Sequence, residues 1–122
     1  MTNSLEAISE LLQNISAPAR LEILLLIGAG EACVCHIEAR LGFRQAYISQ
    51  HLMALRQAGL LETRREGKFV FYRLVKTGIL PLIEQAAQAV GVVLPTFEVV
   101  SPQLQCAISF ESIETLVAGI QE

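Results

Sequence analysis

The chain has 122 residues, 52% of them hydrophobic and 17% charged, with a formal net charge of −3. That length holds one domain, or one domain with a tail, and so apolar a composition excludes disorder throughout. The longest uncharged apolar run near the N-terminus, Ile23 to Gly30, is far short of the roughly 20 residues of a membrane span.

Leu5, Ile8, Leu11, Leu12 and Ile15 recur at helical spacing and predict a first helix over Ser4 to Asn14. Ser16-Ala17-Pro18 reads as the start of a second, with Ser16 as cap and Pro18 in the first turn, where its missing donor costs nothing. That helix, Arg20 to Ile27, is apolar nearly all round and belongs to the core; Gly28-Ala29-Gly30 stops it. A third helix is expected over about Ala32 to Leu41, carrying Cys33-Val34-Cys35-His36 and ending at a tight Gly42-Phe43 turn. The fourth runs from about Arg44 to Ala58, with Ile48, Leu52 and Leu55 as its buried stripe.

Leu61 to Arg65 and Lys68 to Leu74 then read as a hairpin, the second run rich in aromatic and β-branched residues, with the turn at Glu66-Gly67. A fifth helix falls within Thr77 to Val90, with Ile79, Ile83, Ala86, Ala87 and Val90 on one stripe and Pro81 near its start. The expected organisation is a domain over residues 1–91 and an extension over 92–122. Pro95 and Pro102 break the extension before a short amphipathic helix with Phe110, Ile113, Leu116, Val117 and Ile120, for which Ser109 is a cap.

The charge is unevenly placed. Eight of the nine basic residues lie between positions 40 and 76, opposed only by Glu62 and Glu66, a local balance of +6. The remainder sets Arg20 against ten glutamates, or −9. A basic module inside an acidic chain is the footprint of polyphosphate contact. Short helix, glycine turn, longer helix and basic hairpin together make a winged helix-turn-helix, mostly α with a β-hairpin wing. A helix fits the major groove of B-DNA and reads base edges. Away from its apolar stripe the fourth helix carries Arg44, Gln45, Tyr47, Gln50 and His51, and Ser49 suits a phosphate. Arg64, Arg65 and Lys68 surround the hairpin tip, within reach of the backbone or minor groove. The expected partner is double-stranded DNA, with no membrane involved.

Three cysteines are an odd number, which argues against a disulfide framework and for a reducing compartment. The opening Met-Thr-Asn-Ser-Leu-Glu shows no secretory pattern, so a cytoplasmic location is expected. Catalysis has few players: there is no Asp, only His36 and His51, and no glycine-rich phosphate loop.

The stretch from Glu31 to Leu61, with its Ser49-Gln50-His51-Leu52 and Leu55-Arg56-Gln57-Ala58-Gly59-Leu60 segments, resembles the ArsR/SmtB family of bacterial metal-responsive repressors. Arg65-Glu66-Gly67-Lys68 and Val70 to Leu74 extend the likeness, which covers roughly Ala17 to Leu74. The resemblance implies a homodimer built from the first and fifth helices, operator binding that blocks transcription, and release when an inducer binds. One departure is Arg44, where the family often has a capping Ser or Thr; the lost cap costs about 1 kcal/mol.

The Cys33-Val34-Cys35 pair resembles the thiolate site of arsenite-, antimonite- and cadmium-responsive members. Thiolates suit soft ions, and a helix N-terminus favours them. On a regular helix, residues two apart point roughly 200° apart, so one ion would bond both sulfurs only by unwinding that turn, which would disturb the recognition helix. Trigonal arsenic needs a third ligand: Cys106 is the first candidate, from the same or the partner chain, and His36 the alternative. The fifth helix lacks the Asp and His of zinc-sensing members, and the N-terminus lacks the cysteines of four-sulfur cadmium sensors. Arsenite or antimonite is therefore the favoured inducer, with no permanent cofactor. A cadmium- or lead-type sensor, or a thiol redox or persulfide sensor, is the alternative.

Overall fold

The computed structural model describes residues 3–98. In chain order it contains α1 (Ser4–Ile15), α2 (Pro18–Ile27), β1 (Glu31–Cys33), α3 (Val34–Leu41), α4 (Gln45–Gln57), β2 (Leu61–Glu66), β3 (Phe69–Leu74) and α5 (Ile79–Val90). The three strands form one antiparallel sheet in the order β1-β3-β2. This is the winged helix-turn-helix that the pattern of elements predicts, with a third strand that the sequence reading did not foresee. Cys106 and the predicted helix of the extension lie outside the described residues.

The core gathers around α2. Ile23, Leu24, Leu26 and Ile27 are buried from one helix of ten residues, so it packs on several sides at once. Against it lie Ile37 of α3, Ile48, Leu52 and Leu55 of α4, Leu61 and Leu74 of the sheet, and Ile79 and Ile83 of α5. The fourth-helix stripe is wholly buried, as its spacing of four and three requires. Beyond α5, Leu94 and Phe97 pack against the same core.

Several local expectations are corrected. Ser16 does not cap α2: its hydroxyl donates to the Gln13 carbonyl and closes the end of α1, while Ala17 occupies the cap position without a side-chain bond. The hairpin turn is Gly67-Lys68, one residue later than expected, because Glu66 pairs with Phe69. Gly67 has φ +61°, and among the described residues no other residue type takes positive φ, the pattern of a two-residue turn with glycine at its first central position. Gly42, at φ +76°, is the left-handed stop between α3 and α4, and its N–H returns to the Glu38 carbonyl.

The largest correction concerns the third helix. Residues 31–33 are extended and pair with β3, Cys33 opposite Phe71, so the helix begins only at Val34. The bonding capacity of an edge strand outweighs one further helical turn here. Among the described residues no helix is long and apolar enough to cross a membrane.

Candidate nucleic-acid interface and thiol pocket

Arg44 occupies the cap position of α4 at φ −67°, ψ 147°, without a side-chain bond to the helix, which leaves its guanidinium exposed at the helix entrance. The outward face of α4 follows from the buried stripe. At about 100° per residue, Ala46, Gln50, Met53 and Gln57 lie opposite Ile48, Leu52 and Leu55. All four are exposed, and Ser49 is half-buried beside them. Gln50 is thus placed to read a base edge, and Met53, 59% exposed, offers an apolar contact of the kind that suits a thymine methyl. Ala46 and Met53 escaped the sequence reading, which looked for polar side chains; the wheel arithmetic alone reveals them.

Gln45, Tyr47 and His51 sit on the flanks instead. Tyr47 stands between two rings, with edge-on contacts to Phe43 at 5.3 Å and His51 at 4.5 Å. His51 turns inward. Its Nδ1 accepts a hydrogen bond from Arg20 Nε at 3.0 Å, and its Nε2 is buried with no hydrogen-bond partner. Burial first, and Arg20 second, lower its pKa from the ordinary 6.5. The structure therefore places His51 at the joint with α2 rather than on the reading face. Its residue type gave no sign of this, because Arg20 lies far away in sequence.

On the wing, Arg65 is exposed and makes no ion pair among the described residues, and Lys68 lies over the Phe69 ring at 5.5 Å. Arg64 is differently placed. It pairs with Glu31 at 3.0 Å and Glu66 at 2.9 Å and lies 4.9 Å over the Phe71 ring. Hydrogen bonds to Glu31 and then Glu66 raise its pKa further above the ordinary arginine value. The structure thus assigns Arg64 to the sheet surface, whereas the sequence reading grouped it with the tip. Arg73 likewise pairs with Glu62. Strand alternation explains the division: Arg64, Glu62 and Glu66 share one face of β2, and Arg65 takes the other.

The two cysteines meet. Cys33 lies at φ −88°, ψ 161°, and serves as the cap of α3, its Sγ accepting the His36 amide hydrogen at 3.3 Å. Extended backbone at Cys33 and helical backbone beyond it turn both side chains to one side, so their sulfurs stand 2.7 Å apart. The expectation that the sulfurs diverge around a regular helix is overturned: they approach one centre with no unwinding. Both are thiols. They line a cavity of about 210 Å³ together with Val34, Glu38, Gln45 and Phe69. Gln45 opens the recognition helix and Phe69 opens β3, the central strand of the sheet and one arm of the wing, so the pocket touches both candidate DNA-binding elements.

His36 is 3% exposed, and its Nδ1 has no hydrogen-bond partner. Burial first, and Arg40 second, lower its pKa from 6.5. Among the described residues no three His, Cys or acidic side chains gather as a metal site, so the structure does not bring the His36 ring to the sulfur pair. The pair is a soft two-sulfur donor set, suited to a thiophilic ion.

Residues 17–63 match the sequence profile of the arsR family of bacterial regulatory proteins. The chain is 45% identical over 74 residues to the biofilm growth-associated repressor of Agrobacterium fabrum, covering 61% of this chain and 63% of that one. It is 44% identical over 66 residues to the arsenical resistance operon repressor of Escherichia coli, covering 53% and 56%. The matches thus span less than two thirds of those relatives' length. The solved structure of HlyU from Vibrio cholerae N16961 superposes with a TM-score of 0.65 at 34% identity, over 73% of this chain and 97% of that one. With the fold and the sequence in agreement, the chain belongs to the arsR family of bacterial regulatory proteins.

Proposed function

We propose that this chain is a DNA-binding transcriptional repressor that acts as a homodimer and releases its operator when a trivalent thiophilic inducer, arsenite or antimonite, binds Cys33 and Cys35. The observation that carries this reading is the position of the sulfur pair: 2.7 Å apart, in a cavity shared with Gln45 of the recognition helix and Phe69 of the wing. A ligand that pulls the sulfurs to its own bonding distances strains that cavity. The strain acts on both elements that hold DNA. Typical allosteric couplings of about 1–3 kcal/mol are enough for release.

Repression, and arsenical resistance in the second, are what the names of the Agrobacterium and Escherichia coli relatives carry, and both support the reading. DNA contact is supported by the exposed Arg44, Gln50 and Arg65 on one basic module. Dimerisation is supported by the exposed apolar face of α1, where Leu5, Ile8 and Leu12 line a groove of about 370 Å³, and by exposed Leu82 and Val90 on α5. We assign the third position on trigonal arsenic to Cys106 of the same or the partner chain.

The sulfur separation also favours a second reading, in which an oxidant such as peroxide takes two electrons and the two thiols lose two protons to form a Cys33–Cys35 disulfide. The deciding experiment is release of a selected operator duplex by arsenite, antimonite, cadmium, lead, persulfide or peroxide. Release by arsenite or antimonite under reducing conditions supports the first reading. Release by peroxide alone supports the second, and release by none of them removes both.

A further inference from the structure

Arg20 belongs to neither the DNA-reading face nor the thiol pocket, yet it joins three helices. Its Nε–H donates to His51 Nδ1 at 3.0 Å, and its Nη1–H donates to the Asn14 carbonyl at 2.9 Å. One guanidinium thus ties the last turn of α1 to the middle of α4. The Asn14 carbonyl is among the acceptors that a helix leaves unpaired at its C-terminus, where a cation is favoured. The last turn of α1 has no basic residue of its own, so Arg20 supplies that charge from α2. His51 is held on its other side by the Tyr47 ring, and its Nε2 is covered. With one nitrogen occupied and the other buried, this imidazole has no atom to offer a base.

We propose that Arg20 and His51 are positioning residues for DNA reading, a clasp that sets the orientation of the recognition helix against α1. The inference rests on the proposed function, in which α1 carries the dimer contact and α4 enters the major groove. A dimer reads two half-sites at a fixed spacing. The path from its interface to each reading helix must therefore be stiff, and α1–Arg20–His51–α4 is a hydrogen-bonded route between them.

The clasp requires Nδ1 unprotonated. Protonation there removes the acceptor and sets a second cation against Arg20. Arg20 of α2 is the charged group that acts on the ring, and Tyr47 of α4 is the other titratable side chain in contact with it; α1 contributes the Asn14 carbonyl through Arg20. Acid therefore opens the clasp, whereas added positive charge by itself strengthens binding to DNA.

The test uses the full chain and a duplex enriched by the wild-type protein from a random pool. His51→Leu is expected to weaken binding by about tenfold or more, since it strands a charged donor. His51→Asn, whose side-chain oxygen replaces Nδ1 as acceptor, is expected to stay close to wild type. Wild-type affinity should fall as the pH drops below about 6.5, and His51→Asn should not show that fall. Equal losses in both variants, or wild-type affinity that rises toward acid, overturn the clasp. If His51→Leu does not fold, the comparison of the two pH profiles decides. If the pool yields no duplex, DNA reading is what fails. The clasp then stands or falls on Arg20→Leu, in which amide hydrogen exchange must quicken in α4 relative to α2.

Discussion

Cys33 pairs with Phe71 across the β1–β3 ladder, so one residue of the thiol pocket is a rung of the wing's own sheet. Cys33 is also the cap of α3, the helix joined to the recognition helix through Gly42. A change at this sulfur is placed to act on the wing through the β1–β3 pairing and on the recognition helix through α3.

Replacing either sulfur should therefore separate binding from release. Cys33→Ser and Cys35→Ser are expected to bind the operator as wild type does. Arsenite should lower wild-type affinity by roughly 5- to 150-fold and leave both variants unmoved. Fluorescence anisotropy with a labelled duplex reads both quantities, and a full arsenite response in either variant places the sensor elsewhere. Cys106→Ser should bind DNA normally and need more inducer for half release.

The two wing arginines should differ although they are adjacent. Arg65→Ala removes an exposed cation with no carboxylate partner among the described residues. It should reduce the slope of log affinity against log salt by about 1. Arg64→Ala removes a cation already paired with Glu31 and Glu66, and the slope should barely change. A salt titration of the three proteins settles the assignment.

The outer face of α1 gives a third expectation. Leu5 is 76% exposed and Ile8 53%, on a helix whose apolar spacing is otherwise that of a buried face. The double variant Leu5→Glu, Ile8→Glu should sediment as a monomer at micromolar concentration and lose operator affinity, while its helix content is retained. A dimer that persists would place the interface on another surface.

Gly42 isolates a backbone effect. A Cβ built there meets nothing within 4 Å, so Gly42→Ala introduces no clash. Its φ of +76° is nonetheless left-handed, and the substitution should cost about 1–2 kcal/mol. Urea unfolding at neutral pH measures this directly.

His36 sets an acid limit on stability. Burial and Arg40 hold its folded pKa below the ordinary 6.5, so below that value the unfolded chain binds the extra proton first. Stability is full above about pH 6.5 and falls as acid is added, until the folded pKa is reached. His51 is shifted in the same direction and adds to the loss. His36→Leu removes one of these two contributions and leaves no new unpaired atom at Nδ1. The urea midpoint of that variant should depend less steeply on pH between about 6.5 and 5 than the wild-type midpoint.

Much was legible in the sequence because it was local. The apolar period of α4, the glycine after α3, the alternating run of β3 and the clustering of basic residues each depend on neighbours within a few positions. Together they specify a basic winged helix, and the two closely spaced cysteines mark a thiol site. What tertiary structure decided were the matters that depend on partners distant in sequence. Pairing with Phe71 makes Cys33 a strand residue and brings its sulfur to Cys35, where helical spacing alone separates them. Glu31 draws Arg64 onto the sheet, and Arg20 turns His51 inward. Side-chain type and period specify which face a residue lies on, but only the folded chain specifies which hydrogen-bond partner waits there.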